Sequence, residues 1–478
     1  MQDQTYPHIR RSGRFRLILL AVFSVAWWQW FIAISAVSAG AVVAGDELGF
    51  TEPQREVFWN ITGGWSVYLM LALLVGVLLY GPYRRLQLWM LGRPGTVTTN
   101  LNLRKRILNL FTQGLTTRRL PRYTYGGIMH TCIFVSFIAL TIITLILAVD
   151  DDTPLDFLHG DFYLWYSAAG DFFGIVGLVG VGMAVFARHT SAPAEMKRVR
   201  WEQRHQDDII IFGLGALLLS GLLAEAMRVG ATELHQHSDW ARWSFVAYGI
   251  SGPLDAAGVS RDGFEAAHLV FWWFHVPAAF VWLAYIGYSK LGHILYAPAN
   301  SFLKTTDAYG KLPAITDFEE RETFGVGRIQ DFTWKQLFEL DVCVRCGRCT
   351  DNCPAAIAGQ PLSPMHIIQD LKEHMNRVGP SLLTAEAVSG NGNGAHEHEF
   401  EPMVGGAVRD EALWACRTCG ACVQECPVFI EHIPTIVDMR RWLVMDEARM
   451  PETVQGTLMN LEQRGHPWRG TALTRTSW

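Results

Sequence analysis

The stretch Cys343-Val-Arg-Cys346-Gly-Arg-Cys349-Thr-Asp-Asn-Cys353-Pro354 decides how the rest of the chain is read. It returns as Cys416-Arg-Thr-Cys419-Gly-Ala-Cys422-Val-Gln-Glu-Cys426-Pro427. Both are C-x2-C-x2-C-x3-C-P, the ligand run of cubane iron–sulfur clusters. Three thiolates on a tight loop grip three irons of one cluster. The fourth, just before proline, reaches the other cluster in two-cluster ferredoxins. The spacing predicts one [4Fe–4S] cluster on Cys343, Cys346, Cys349 and Cys426. A second takes Cys416, Cys419, Cys422 and Cys353. Zinc is the rival metal, but a duplicated four-cysteine run with trailing proline fits it poorly. Such ligand-like spacing argues against disulfides and for a reducing compartment. Gly347 and Gly420 fall mid-loop, where backbone must come close to a cluster. The 62 residues between the runs are expected to hold a helix around 363–376. A soft Gly/Asn stretch with His396 and His398 follows it, read as solvated loop, not metal site.

Upstream of the cysteines the chain is apolar. Its 478 residues are 50% hydrophobic and only 18% charged, below the roughly 25% of an average soluble domain. Mean hydropathy is +0.15. A net charge of −5 excludes a nucleic-acid binder, which is ordinarily basic. Six apolar runs recur, at about 17–44, 62–91, 124–149, 167–187, 208–229 and 264–296. Each approaches or exceeds the ~20 residues needed to cross a bilayer. The N-terminus carries Arg10, Arg11, Arg14 and Arg16, and the segment 81–123 has nine basic and no acidic residues. Alternate loops carry Asp46, Glu47, Glu52 and Glu56, then Asp150, Asp151, Asp152, Asp156 and Asp161. The positive-inside rule puts both termini in the cytoplasm of a prokaryotic cell bounded by this membrane. The expected architecture is mainly α. Residues 1–16 are a cytoplasmic N-terminus, 17–296 a six-span transmembrane helical bundle and 297–340 a connector. A cytoplasmic α-helical dicluster ferredoxin domain at 341–445 precedes a partner-docking tail at 446–478.

Histidine inside a span is costly and marks a functional hypothesis. His130 lies near the cytoplasmic start of the third run. His275 and His293 lie on the sixth, eighteen residues apart. On one helix that is five turns, so they would share a face about 27 Å apart. His130 and His293 both lie on the cytoplasmic side and can meet if the two spans pack. Two imidazoles from facing helices are what a six-coordinate haem b requires. His268 shares the face of His275 but lies beyond the apolar core, an interfacial residue. His159, His235 and His237 fall in solvated outer loops. A quinone site needs a polar group exchanging protons near the membrane face. Glu225 and Arg228, three apart on the fifth run, are the candidates, with an interfacial salt bridge as the equal alternative. Lys290, Arg119 and Arg122 would meet haem propionates or simply anchor the cytoplasmic face. No GxGxxG fingerprint for NAD or flavin is present.

The membrane part resembles the haem-b gamma subunit of respiratory nitrate reductase, with one extra N-terminal span. That resemblance implies an inner haem on His130 and His293. It implies an outer haem on His275, but the partner position holds Leu140. The outer haem is then absent, five-coordinate or completed by a histidine from elsewhere. The whole chain resembles the N-terminal portion of heterodisulfide-reductase-related iron–sulfur membrane proteins. These include the electron-transfer-flavoprotein:menaquinone oxidoreductases. The segments carrying it are Ser289-Lys-Leu-Gly-His-Ile-Leu-Tyr-Ala-Pro-Ala-Asn300, Gly327-Arg-Ile-Gln-Asp-Phe-Thr-Trp-Lys335, Gly359-Gln-Pro-Leu-Ser-Pro364 and Cys426-Pro-Val-Phe-Ile-Glu-His432. Family members continue into cysteine-rich CCG domains. This sequence shows none before Trp478, so the resemblance implies a separate CCG-domain subunit or a soluble flavoprotein as partner.

The expected function is a quinone-linked oxidoreductase, one subunit of a complex. It moves electrons between a cytoplasmic donor, such as an electron-transfer flavoprotein, and menaquinone or ubiquinone. Two [4Fe–4S] clusters and haem b are the carriers. One alternative runs the same wire backwards, from quinol to a cytoplasmic disulfide or sulfur compound. Another class of reading is a non-catalytic iron–sulfur membrane anchor.

Overall fold

A computed structural model describes residues 52–468, apart from 96–101, 117, 191–200, 308–309, 313, 316–318, 320–322 and 390–400. The first expected span, 17–44, and the His396/His398 stretch lie outside the described residues. Among the described residues, five helices are long and apolar enough to cross a membrane. They are Ser66–Trp89, Thr124–Asp152, Gly160–His189, His205–Ala231 and Arg261–Tyr288. They correspond to runs two to six. Lipid offers no hydrogen bonds, so a spanning segment must pair its backbone internally, as a helix does. Their outer faces keep large apolar groups exposed, among them Leu73, Leu79, Leu145 and Phe186. On a soluble surface such a patch would be a liability, and in lipid it is the solvated face.

The chain divides into two compact units. Met1–Leu74, Thr131–Gly182 and Phe212–Trp282 form one. Its helices meet through a glycine stripe on Gly160–His189. A Cβ on Gly177 would lie 2.4 Å from the Ser136 hydroxyl, and one on Gly180 would lie 2.9 Å from the Cys132 Cβ. Without a hydrophobic drive between helices in lipid, such small residues let backbones approach and dispersion hold them. Ser136 donates to the Phe173 carbonyl at 2.7 Å across the same contact.

Val75–His130, Met183–Ile211 and Leu283–Trp478 form the other unit. It holds both cysteine runs and reaches well beyond the 341–445 expected for the cluster domain. Its core includes Leu88, Trp89, Phe332, Leu337, Phe338, Leu371, Met375, Leu413, Ile436 and Leu443. Fully burying each such side chain contributes about 1.5–3 kcal/mol. The helix Trp334–Val342 starts with a reciprocal cap between Thr333 and Gln336. It delivers Asp341, buried, two residues ahead of Cys343. Arg85 grips Asp341 through Nε and Nη2, both at 2.6 Å. Trp89 Nε1 donates to the same carboxylate at 2.7 Å, and Lys372 lies 3.1 Å away. Burial alone would push Asp341 up, but Arg85 and Lys372 outweigh it and hold the carboxyl below its ordinary range.

The helix Pro364–Ser389 is longer than the expected 363–376. Met365, Ile368, Leu371, Met375, Val378 and Leu382 are buried along it at helical spacing. The helix runs on through Gly379-Pro380, and the missing side chain at Gly379 leaves room for Leu88 to pack. The sixth run also differs from expectation. The α-helix Arg261–Tyr285 gives way to short 3-10 turns, Ile286–Tyr288 and Lys290–Gly292, before His293–Leu303 begins. Ser289 is extended between the turns, and its hydroxyl accepts the Leu291 N–H at 3.2 Å. His275 and His293 are therefore not on one continuous helix, and the shared-face argument fails.

Replacing Asp341 with Ala strands the buried Trp89 Nε1 and takes from the half-buried Arg85 and Lys372 their shared carboxylate. The expected cost is about 3–5 kcal/mol, read as a lower unfolding temperature of the detergent-solubilised protein together with lost iron. An unchanged melting curve would show that the carboxylate is not what holds this region.

Candidate functional site

The two cysteine loops are built alike, down to backbone signs. Gly347 (φ 80) and Gly420 (φ 76) are left-handed and start the short helices Arg348–Asp351 and Ala421–Glu425. Arg345 (φ 58) and Thr418 (φ 52), at matching positions, are left-handed too. Non-glycine residues rarely adopt this region, so the loop shape is imposed by more than local preference. The glycines were legible as backbone-approach positions. Arg345 and Thr418 carried no such signal.

Burial pushes the Cys346, Cys349, Cys416, Cys422 and Cys426 thiols up, and the charges that add to it show which cysteines lie near one another. Cys426 is raised by burial first, with Cys346 and Cys343 adding. Cys349 is raised by burial, then by Cys343, Cys346, Cys426 and Cys422. Cys422 is pushed up to about 12 by burial, then Cys416, with Cys353 and Cys419 behind. Cys353, Cys416, Cys419 and Cys422 also line one cavity together. The structure thus brings the fourth cysteine of each run to the other run's first three. Thiols held this high would be neutral near pH 7. A cationic iron centre is what makes closely spaced thiolates stable, so the donor set fits clusters. Among the described residues no three His, Cys, Asp or Glu side chains converge on a single ion. A four-iron cluster is wide enough to hold its thiolates apart. Backbone N–H groups already aim at sulfur: Thr418 at Cys416 Sγ, 3.3 Å, and Ile430 at Cys426 Sγ, 3.4 Å.

The segment around 119–123 meets these loops in the same unit. Arg119 donates to the Cys426 and Val423 carbonyls at 2.7 and 3.1 Å and lies over the Phe429 ring. Arg122 pairs with Glu425 at 3.1 Å. Arg348 returns to the Arg119 and Leu120 carbonyls. Lys290 pairs with Asp207 at 3.4 Å. All three cations expected to meet haem propionates or anchor the face instead have protein partners.

His130 and His293 come together, with ring centroids 6.3 Å apart. Two imidazoles binding one iron in line, at ~2 Å per bond, have centroids ~6 Å apart. His293 Nδ1 lies 2.7 Å from the Lys290 carbonyl. That hydrogen bond fixes the tautomer and leaves Nε2 to ligate, the usual support of a metal-bound histidine. The pair fits a haem iron.

In the other unit His275 Nδ1 lies 3.1 Å from both the Leu217 carbonyl and the Ser220 hydroxyl. Its ring lies against Gly221, where a Cβ would come within 2.8 Å. Arg228 pairs with Glu225 at 2.7 Å as expected. It also pairs with Glu233 at 2.7 Å and bonds the Tyr163 hydroxyl at 3.0 Å. Arg228, Glu233 and Tyr163 are buried. Sequence spacing showed the first pair only, because Glu233 follows the helix and Tyr163 comes from another. His268 is 4% exposed and packs on Trp59 at 5.4 Å. The segment before Ser66 folds Trp59 over it. His159 and His235 pair with Glu52 and Asp255, and His237 stacks on Trp240.

Comparison with known proteins agrees with this geometry. A 4Fe-4S dicluster domain matches residues 335–427. The chain is 32% identical over 453 residues to the EtfAB:quinone oxidoreductase of Syntrophomonas wolfei, covering 90% of this chain and 62% of that protein. It is 31% identical over 396 residues to the probable iron-sulfur-binding oxidoreductase FadF of Bacillus subtilis, covering 78% and 54%. One component of the dihydromethanophenazine:CoB–CoM heterodisulfide reductase of Methanosarcina barkeri is 34% identical over 110 residues, covering 22% and 24%. The chain thus spans 62% and 54% of the first two relatives. No solved structure matches. The chain is a homologue of these iron–sulfur proteins, with five apolar helices of membrane-spanning length among the described residues.

His432, buried behind the second run, gives a pH prediction. Burial lowers it to about 4, against the usual 6.5. The unfolded chain therefore takes up the proton first. Stability present above pH 6.5 is lost as pH falls towards 4. Unfolding temperatures measured between pH 7 and 5 should fall less in a His432→Gln variant than in the unsubstituted protein. Equal slopes would remove His432 from the account.

Proposed function

We propose that this chain is the membrane-bound electron-transfer subunit of a quinone-linked oxidoreductase, joining a cytoplasmic donor to the quinone pool. Two [4Fe–4S] clusters and haem b supply one-electron chemistry when bound. Cys343, Cys346, Cys349 and Cys426 would hold one cluster, and Cys416, Cys419, Cys422 and Cys353 the other. His130 and His293 would hold the inner haem. The observation carrying this reading is that imidazole pair at 6.3 Å, in the same compact unit as both cysteine loops. An anchor alone would have no use for it.

The remaining residues take supporting roles. Arg119 and Arg348 tie the two loops to 119–123, which leads into the helix bearing His130. Glu225, 21% exposed and held by Arg228, is the group left to exchange a proton with quinone. His275 offers half of a second haem site, but Leu140 supplies no other half. The basic loops favour a cytoplasmic placement for the cysteine runs. The donor is a flavoprotein or a CCG-domain subunit, a reading supported by the flavoprotein-and-quinone name of the Syntrophomonas relative. Likeness to a component of a heterodisulfide reductase supports a second reading, in which quinol feeds a cytoplasmic disulfide reductase.

His130→Leu and His293→Leu each should abolish the b-type absorbance while both cluster EPR signals persist. Cys419→Ser should weaken or convert one cluster signal and leave haem in place. If the histidine variants keep full haem absorbance, the assignment of the inner haem is wrong.

A further inference from the structure

Asp207 carries more positive partners than its own burial requires. Its side chain is 6% exposed. Oδ2 accepts from Arg188 at 3.1 Å and Lys290 at 3.4 Å, and Oδ1 accepts from Arg345 at 3.0 Å. Three cations from three separate stretches thus converge on one carboxylate within a single unit. Each of these charges loses solvation on burial, so gathering three cations on one carboxylate is a costly arrangement. Arg188 also reaches Asp208 at 3.3 Å, so the group as a whole is net positive.

Two of these cations flank cofactor residues. Arg345 is the neighbour of Cys346 in the first loop. Lys290 offers its carbonyl to His293. Lys290 is also near enough to Cys346 to oppose the rise that burial imposes on that thiol. The second loop serves as an internal control. Thr418 stands at the position of Arg345 with nearly the same φ, 52 against 58. Thr418 is exposed, and its hydroxyl bonds only within its own loop, to the Arg417 carbonyl. The loop shape therefore does not demand an arginine. The Arg345–Asp207 link is an addition to the first copy.

We propose that Asp207 is a positioning residue that holds Arg345 and Lys290 against the first cysteine loop, setting that cluster's reduction potential apart from the second's. This rests on reading Cys343, Cys346, Cys349 and Cys426 as one ligand set. Cluster potentials follow local charge and hydrogen bonding. Positive charge beside a cluster favours its reduced form. Negative charge does the reverse. The arrangement therefore raises the first cluster's potential above what its loop alone would give, through a route the second loop lacks: there the nearby cation, Arg440, donates to the Cys416 carbonyl at 2.6 Å instead.

The test is an EPR-monitored redox titration of the full chain in detergent, with iron and sulfide counted first. Asp207→Asn keeps the shape and one of the two accepting oxygens but removes the negative charge. It should raise the first cluster's midpoint and leave the second's in place. Arg345→Thr puts the second loop's own residue into the first and should lower that same midpoint. Asp207→Glu should restore the original value. Opposite shifts confined to one cluster support the proposal. Unchanged midpoints, or equal shifts in both clusters, overturn it. If Asp207→Asn loses its iron, Arg345→Thr alone decides by the same criteria. Failure of the underlying ligand reading looks different: the unsubstituted protein would show fewer than two cluster signals before any substitution is compared.

Discussion

A buried carboxylate two residues ahead of the first cluster cysteine organises the unit around it. Asp341 accepts Arg85 through two 2.6 Å bonds, and Trp89 and Lys372 complete its shell. Charge-assisted fork pairs of this kind fix direction as well as distance. The end of the helix Ser66–Trp89 is thereby locked to the helix that presents Cys343. Tyr296, Phe338 and Trp89 pack edge-on over the same place. A charge this deep persists only because every partner is present, so the position tolerates little change.

The same device recurs with different chemistry. Arg119 and Arg348 exchange bonds with carbonyls of the cysteine loops and of 119–120. Phe429, left-handed at φ 62, is held between Arg119 and Lys304 and turns the chain so that Ile430 N–H faces Cys426 Sγ. Asp207 gathers Arg188, Lys290 and Arg345. Cationic side chains from loops that sequence alone would leave to solvent are thus committed to positioning. Their number near the cysteines also sets local charge, the quantity a redox centre senses most directly.

Much of this was legible in the residues. The cysteine runs are recognisable by their spacing, and the structure brings Cys426 near Cys343 and Cys346, and Cys353 near Cys416, Cys419 and Cys422. Runs two to six appear as helices. His130 and His293 come together, whereas His275 and His293 do not share one helix. The shared-face argument assumed one straight helix, whereas Ser289 caps a new turn and His293 opens another helix. What sequence could not show is long-range. Arg85 with Asp341, Arg345 with Asp207 and Arg228 with Tyr163 pair groups that no local pattern joins. Nothing near His268 in sequence announces Trp59 as its cover.

On the proposed function, the cysteine loops and the His130–His293 pair serve one electron path to quinone. Its most direct test is anaerobic: add a menaquinol analogue to the purified protein and follow b-type absorbance and cluster EPR together. Both signals should be present and both should respond to quinol. Clusters present without haem, or cofactors indifferent to quinol, would contradict the account and leave an iron–sulfur module on a membrane anchor.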